Sequence, residues 1–199
     1  MKNLISLITA STLAVLIAFV LRFNSFDHDS EKAAIAANAM PIEIILEHQT
    51  NEGNILLYRT LGGDELTLAF LSRNFTGVQY VKSATQYDIA SLEEKAGITY
   101  VVLPKSDDFP FTVYAGITTN PDLSEVFVTE PSFPIGHSVN MMSTLVDDEN
   151  LYVWVAASPD FTGETFSILG VAADGTLIGD IEHDGTNLTI HTFDTVEAY

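Results

Sequence analysis

From Asn54 to Phe193 the chain is a succession of short runs rich in valine, isoleucine, threonine and aromatic residues, each closed by turn-forming residues. This rhythm constrains the fold more than any other feature. The runs lie at 55–60, 66–71, 78–82, 98–103, 111–118, 125–129, 139–146, 151–157, 166–172, 176–181 and 188–193. Gly62-Gly63-Asp64, Asn120-Pro121-Asp122, residues 147–150, Asp174-Gly175 and Asp184-Gly185 punctuate them. An Asp-Gly pair between two such runs signals a hairpin, because both central positions of a type I′ turn require positive φ. Residues 83–96 interrupt the rhythm and read as a loop with a short helix around Leu92. Short strands joined by tight turns pair antiparallel. The expected fold class is therefore mainly β, an antiparallel β-sandwich or a barrel-like domain.

The region ahead of the strands has a different character. Residues 27–39 are polar and alanine-rich, and predict a helix capped at Ser30. Proline is tolerated at the first helical position, so Pro41 is read as opening a short amphipathic helix. Ile42, Ile45 and Leu46 would share its buried face, and Gly53 would end it. Farther upstream, residues 4–21 carry no charge and are bracketed by Lys2 and Arg22. As a helix they would rise about 27 Å, near the hydrocarbon thickness of a bilayer.

Ala37-Asn38-Ala39 fits a small-x-small cleavage pattern but lies far downstream of Leu21. The absence of cysteine excludes a lipid-thioether anchor. An uncleaved transmembrane anchor at 1–22 is expected, then a juxtamembrane linker at 23–40 and a β-rich domain at 41–199. Secretion after signal cleavage is the alternative. Lys2 and the free amine precede the span, whereas Arg22 is followed by Asp27, Asp29 and Glu31. The bias in basic residues places the N-terminus in the cytoplasm and the domain outside, at the cell membrane.

Lys2 and Arg22 flank the span, which leaves the domain 27 acids against 6 bases, a formal net charge of −21. Such a surface repels nucleic acid and anionic lipid head groups. An exported domain without cysteine relies on its core alone. Acidity with few lysines also keeps a protein hydrated in high salt.

The strongest candidate for chemistry is Asp180-Ile181-Glu182-His183-Asp184-Gly185. Oxygens at alternate positions before a glycine resemble the start of a calcium loop. The twelfth position is His191, where a bidentate glutamate belongs, and the eighth is Asn187. The stretch also reads as a β-hairpin with outward-facing acids. Asp180, Glu182 and Asp184 are the candidate metal ligands, and weakly bound calcium is the one cofactor in view. His28, His48, His137, His183 and His191 form no short-range ligand pair. If Asp184-Gly185 is the turn, His183 sits at its rim and His191 down the ladder, too far apart to share an ion.

No cysteine and no Gly-x-Ser-x-Gly elbow are present. Gly136-His137-Ser138 places a hydroxyl beside an imidazole, but neighbours on a strand point to opposite faces, and the stretch reads as a loop after Pro134. Carboxylate pairs for glycoside cleavage carry no signal in a chain so rich in acids. No phosphate-cradling glycine loop is found. Tyr152 and Trp154 share one strand face. Apolar residues on both faces of 151–157 favour a central buried strand over an exposed carbohydrate platform.

Residues 33–48 leading into Leu56-Leu57-Tyr58, then Leu68-Ala69-Phe70, Gly77-Val78-Gln79-Tyr80-Val81 and Tyr114-Ala115-Gly116-Ile117, carry a resemblance. Val153-Trp154-Val155 and Ile168-Leu169-Gly170 continue it to Gly179. In these parts the chain resembles a loose group of short, uncharacterised, single-span exported proteins of bacillus-type Gram-positive bacteria. The resemblance implies a span, a helix entering the domain and a series of strands, and no activity. The functional expectation is a non-catalytic extracytoplasmic binding or accessory domain. Its partner would be an envelope protein or wall-associated ligand, met on loops such as Asp107-Asp108 or Asp147-Asp148-Glu149. An envelope hydrolase using two carboxylates and a calcium-dependent structural domain are the alternatives.

Overall fold

The computed structural model describes the backbone of residues 34–35, 40–50, 53–74, 77–131, 133–140, 142–146 and 149–191. The expected anchor and most of the linker lie outside the described residues. Among the described residues no helix is long and apolar enough to cross a membrane.

The architecture is mainly β, in three antiparallel sheets. Sheet I is a meander of β1 (Ile42–Gln49), β2 (Gly53–Thr60), β3 (Glu65–Asn74) and β4 (Gly77–Tyr87) in that spatial order. A helix, α1 (Ile89–Ala96), follows. Sheet II joins β5 (Val101–Leu103), β6 (Thr112–Thr118), β10 (Glu149–Ser158) and β9 (Met142–Val146) in the order β5-β6-β10-β9. Sheet III contains β7 (Leu123–Glu130), β8 (Phe133–Asn140), β11 (Phe166–Ala172), β12 (Leu177–His183) and β13 (Leu188–His191), ordered β13-β12-β11-β7-β8.

Sheet II lies between the other two and supplies both cores. Val113, Ala115, Ile117 and Val153 pack with Ile55, Leu57, Leu68 and Phe70 of sheet I. From the opposite face, Tyr114, Trp154 and Ala156 pack with Val126, Val128, Phe166, Ile168 and Ile181 of sheet III. Every residue of β6 is buried, which is the burial expected of a strand covered on both faces. Trp154 is fully buried, as the strand pattern predicted. It fits because Gly116 lies opposite it. A Cβ there would stand 2.5 Å from the indole nitrogen and 1.9 Å from the carbonyl oxygen of Thr99.

The helix α1 closes one side of the second core through Leu92 and Ala96. Its start is capped from outside: the Asp64 carboxylate, in the β2–β3 turn, accepts the Ala90 N–H at 2.9 Å. Gly97 ends it in the left-handed conformation (φ 69°), donating its N–H to the Glu93 carbonyl. A third apolar cluster covers the outer face of sheet I, where Ala34 meets Ile42, Leu56, Tyr58, Ala69 and Leu71.

Four expectations require correction. Residues 42–49 form an edge strand and not an amphipathic helix. The pairing slips between Ile44 and Leu46, so Ile45 is an extra residue that shifts the alternation. That bulge gives buried positions a spacing of three, Ile42 and Ile45, which mimics a helical face. Second, β4 runs on to Tyr87, well past the expected end at Lys82. Third, residues 133–140, including Gly136-His137-Ser138, form β8 and not a loop, so 139–146 divides between two strands in two sheets. Fourth, the Asp-Gly turns are not type I′: Gly175 and Gly185 have positive φ, whereas Asp174 and Asp184 do not.

Candidate functional site

The ends of β7, β11 and β12 meet at one end of sheet III. Ser167 pairs with both Thr129 and Glu182, and Phe166 pairs with His183. This register brings Glu130, Phe166 and His183 to one recess of about 380 Å³. Thr129, Pro131, Thr165, Ser167, Glu182 and Asp184 line it as well.

Glu130 lines it while being only 2% exposed. Its carboxylate accepts hydrogen bonds from the Tyr114 hydroxyl (2.5 Å), the Thr162 N–H (2.7 Å) and hydroxyl (2.9 Å), and the Gly163 N–H (2.8 Å). Burial pushes its pKa up, but the donors outweigh burial and hold it below the usual carboxylate range. Tyr114 is driven the other way, above the ordinary phenol range, first by burial and then by the bond to the Glu130 charge. Glu130 thus ties sheet III to sheet II and to the 160–163 loop. Gly163 has φ 79°, a conformation that suits glycine and aims its N–H at the carboxylate.

His183 stacks on Phe166, the rings 13° apart in plane with centroids 5.1 Å apart. Its Nδ1 lies 3.0 Å from the Glu164 carbonyl oxygen and 3.2 Å from the Gly185 nitrogen. One tautomer donates to the carbonyl and the other accepts from the amide.

The expected metal ligands lie along this hairpin. Asp180 and Glu182 occupy alternate positions of β12, with buried Ile181 between them facing the core. Asp180 stands across the ladder from His191, and His183 across from Leu188. Asp184 occupies the turn, where both carboxylate oxygens serve the loop itself. Oδ1 accepts from the Thr186 and Asn187 amides and the Thr186 hydroxyl; Oδ2 accepts from the Asn187 side chain. The Asn187 and Thr186 amides, then their side chains, hold its pKa well below the usual range. Among the described residues, no three histidine, aspartate or glutamate side chains gather around a common point.

Asp107 and Asp108 form an exposed turn closed by mutual hydrogen bonds between Ser106 and Phe109. Asp147 and Asp148 lie outside the described residues. The side chains of His137 and Ser138 also lie outside them. Much of the described basic charge is already engaged: Arg59 pairs with Glu43, Lys82 donates to the Pro104 carbonyl, and Lys105 to the Pro159 carbonyl.

The residues around the recess include three hydroxyl side chains, an imidazole and three carboxylates, with Pro131 and Phe166 among them. The recess has no general acid in Glu130 or Asp184, because both are held ionised and neither carries a proton to donate. The chain matches no family model, no curated protein and no solved structure.

Proposed function

We propose that this chain is a membrane-anchored extracytoplasmic domain that acts by binding an envelope protein or wall-associated ligand, and that the recess at the end of sheet III is where it binds. One observation carries the reading. The recess is lined by Thr129, Thr165, Ser167, Glu182 and a stacked His183, while Glu130 beneath them is fully engaged in holding the fold. Such a wall combines hydrogen-bonding side chains with the apolar surface of Pro131 and Phe166, and so suits a ligand with both polar and apolar parts. The uncharged residues 4–21 and the acidic domain behind them support the address.

The test is photocrosslinking from two positions of the full-length protein in its native membrane. A photoreactive residue at Ser167 samples the recess; one at Thr176, in the far turn of sheet III, is the control. One dominant adduct from position 167 and none from 176 is the expected result. Identical background from both positions refutes the recess as the binding surface.

A further inference from the structure

The polar groups around the recess divide into those the fold uses and those it leaves available. Thr129, Ser167 and Glu182 are direct cross-strand partners, so they share the outward face of sheet III. Two carboxylates are spent within the fold: Glu130 accepts from Tyr114, Thr162 and Gly163, and Asp184 from Thr186 and Asn187. The hydroxyls are not. Among the described residues, the side chains of Thr129, Thr165 and Ser167 hydrogen-bond to no partner. His183 is held through one ring nitrogen. Its Nδ1 lies between the Glu164 carbonyl oxygen (3.0 Å) and the Gly185 nitrogen (3.2 Å), and the ring stacks on Phe166. Nδ1 therefore has a partner in either neutral tautomer, a carbonyl when it carries the proton and an amide when it does not. Nε2, which bonds no described residue, is a lone pair in the first case and an N–H in the second. The fold fixes the ring and leaves the polarity of Nε2 open.

We propose that the recess takes a neutral, hydroxyl-rich ligand, a saccharide chain, and that His183 Nε2 contacts one of its hydroxyls. This rests on the recess being the binding surface and narrows the ligand to one chemistry. The hydroxyls of Thr129, Thr165 and Ser167 and Nε2 of His183 can each donate or accept. No lysine or arginine lines the recess, and the exposed Glu182 carboxylate only accepts. An anionic ligand would meet that carboxylate with no cation to neutralise it. An ammonium group donates only, and leaves the protons of the protein hydroxyls without an acceptor. A ligand hydroxyl both donates and accepts, so it matches each of these groups in turn. The carbon-bound hydrogens of a sugar ring suit the apolar surface of Pro131, which is exposed beside them.

The test is saturation-transfer NMR on the full-length protein in nanodiscs of zwitterionic lipid. The probes are neutral oligosaccharides (cellotriose, maltotriose and the N-acetylglucosamine trimer), the anionic trigalacturonate and the cationic trilysine. Saturable transfer from a neutral oligosaccharide at millimolar concentration, and none from the two charged probes, is the expected result. His183→Phe keeps a ring to stack on Phe166 and loses both nitrogens, and should weaken that binding about tenfold. His183→Gln, which still offers a donor and an acceptor, should retain most of it. Urea midpoints confirm that both variants are folded. Binding of trilysine in preference to every neutral probe overturns the proposal, as does silence from all the neutral probes. Neutral binding that His183→Phe leaves unchanged overturns the role of Nε2. A protein adduct captured from position 167, with no oligosaccharide bound, would keep the recess as the binding surface and remove only the saccharide.

Discussion

The Tyr114 hydroxyl, rising from the middle sheet, donates to the Glu130 carboxylate at the end of β7 at 2.5 Å, and both groups are buried. This contact, together with the three donors from Thr162 and Gly163, holds one loop and two sheets to one oxygen pair. Replacing Glu130 by glutamine keeps the size and removes the charge that those donors face. E130Q is expected to destabilise the fold by about 3 kcal/mol, and Tyr114→Phe by about 1–2 kcal/mol, because the carboxylate then keeps its loop donors. Urea denaturation of the three proteins measures both. An E130Q midpoint equal to wild type would mean that the cluster contributes nothing.

The same group has a defined pH signature. Glu130 is held below its ordinary value of 4.5 in the folded chain, so its stabilisation is complete above that pH and is lost as pH falls through the folded value. The stability gap between wild type and E130Q should be widest at neutral pH and narrow progressively below pH 4.5. A gap that stays constant down to pH 3 (roughly one and a half units below that point) contradicts this assignment.

Gly116 is expected to tolerate no side chain. A methyl would overlap the Thr99 carbonyl and the ring of Trp154, both in the interior. Gly116→Ala should cost about 3 kcal/mol, or about 6–12 °C in melting temperature. Gly175→Ala makes an instructive comparison, because nothing lies within 4 Å of its added methyl. Only its positive φ opposes the change, and a loss near 1 kcal/mol is expected.

Salt should stabilise the domain. The net charge of −21 on residues 23–199 makes the folded state repel itself, and sodium chloride screens that repulsion. A scanning-calorimetry series is expected to show melting temperature rising smoothly with concentration. A flat response would mean that the acids are already compensated within the fold.

Calcium addresses the hairpin directly. Since Asp184 uses both oxygens on its own loop, millimolar calcium is expected to leave the chemical shifts of residues 180–187 unchanged. Saturable shifts, abolished by Asp184→Asn, would place a cation there instead.

Strand existence was largely legible because buried strands alternate or run apolar, and the turn residues between them have their own chemistry. Residues 151–157 and 166–172 follow that rule. The rule failed at β1, where one bulged residue changed the period of burial, and at 139–146, where one apolar run belongs to two strands in different sheets. The layer count was not legible. Tyr114 and Ala115 are adjacent in sequence yet belong to different cores, and nothing local distinguishes them. Of the candidate site, His183 at the turn rim was legible from the Asp-Gly pair. Glu130 was not, since its donors lie 16 to 33 residues away. The one local signal was Glu130 following the apolar run Val126-Phe127-Val128 at an inward position of β7.

The middle sheet has a consequence for the order in which this molecule forms. Its strands β6 and β10 pair Thr118 with Tyr152 and Thr112 with Ser158, across a stretch of chain that supplies only β7 and β8 of sheet III on the way. Sheet I is contiguous, and its inner face first meets Val101 and Leu103 of β5 and Val113, Ala115 and Ile117 of β6, before β10 adds Val153. A chain lengthening from its N-terminus therefore covers that face in two steps, first from β5 and β6 and then from β10. The second core waits longer, because Ile168 of β11 and Ile181 of β12 follow β10 in the chain.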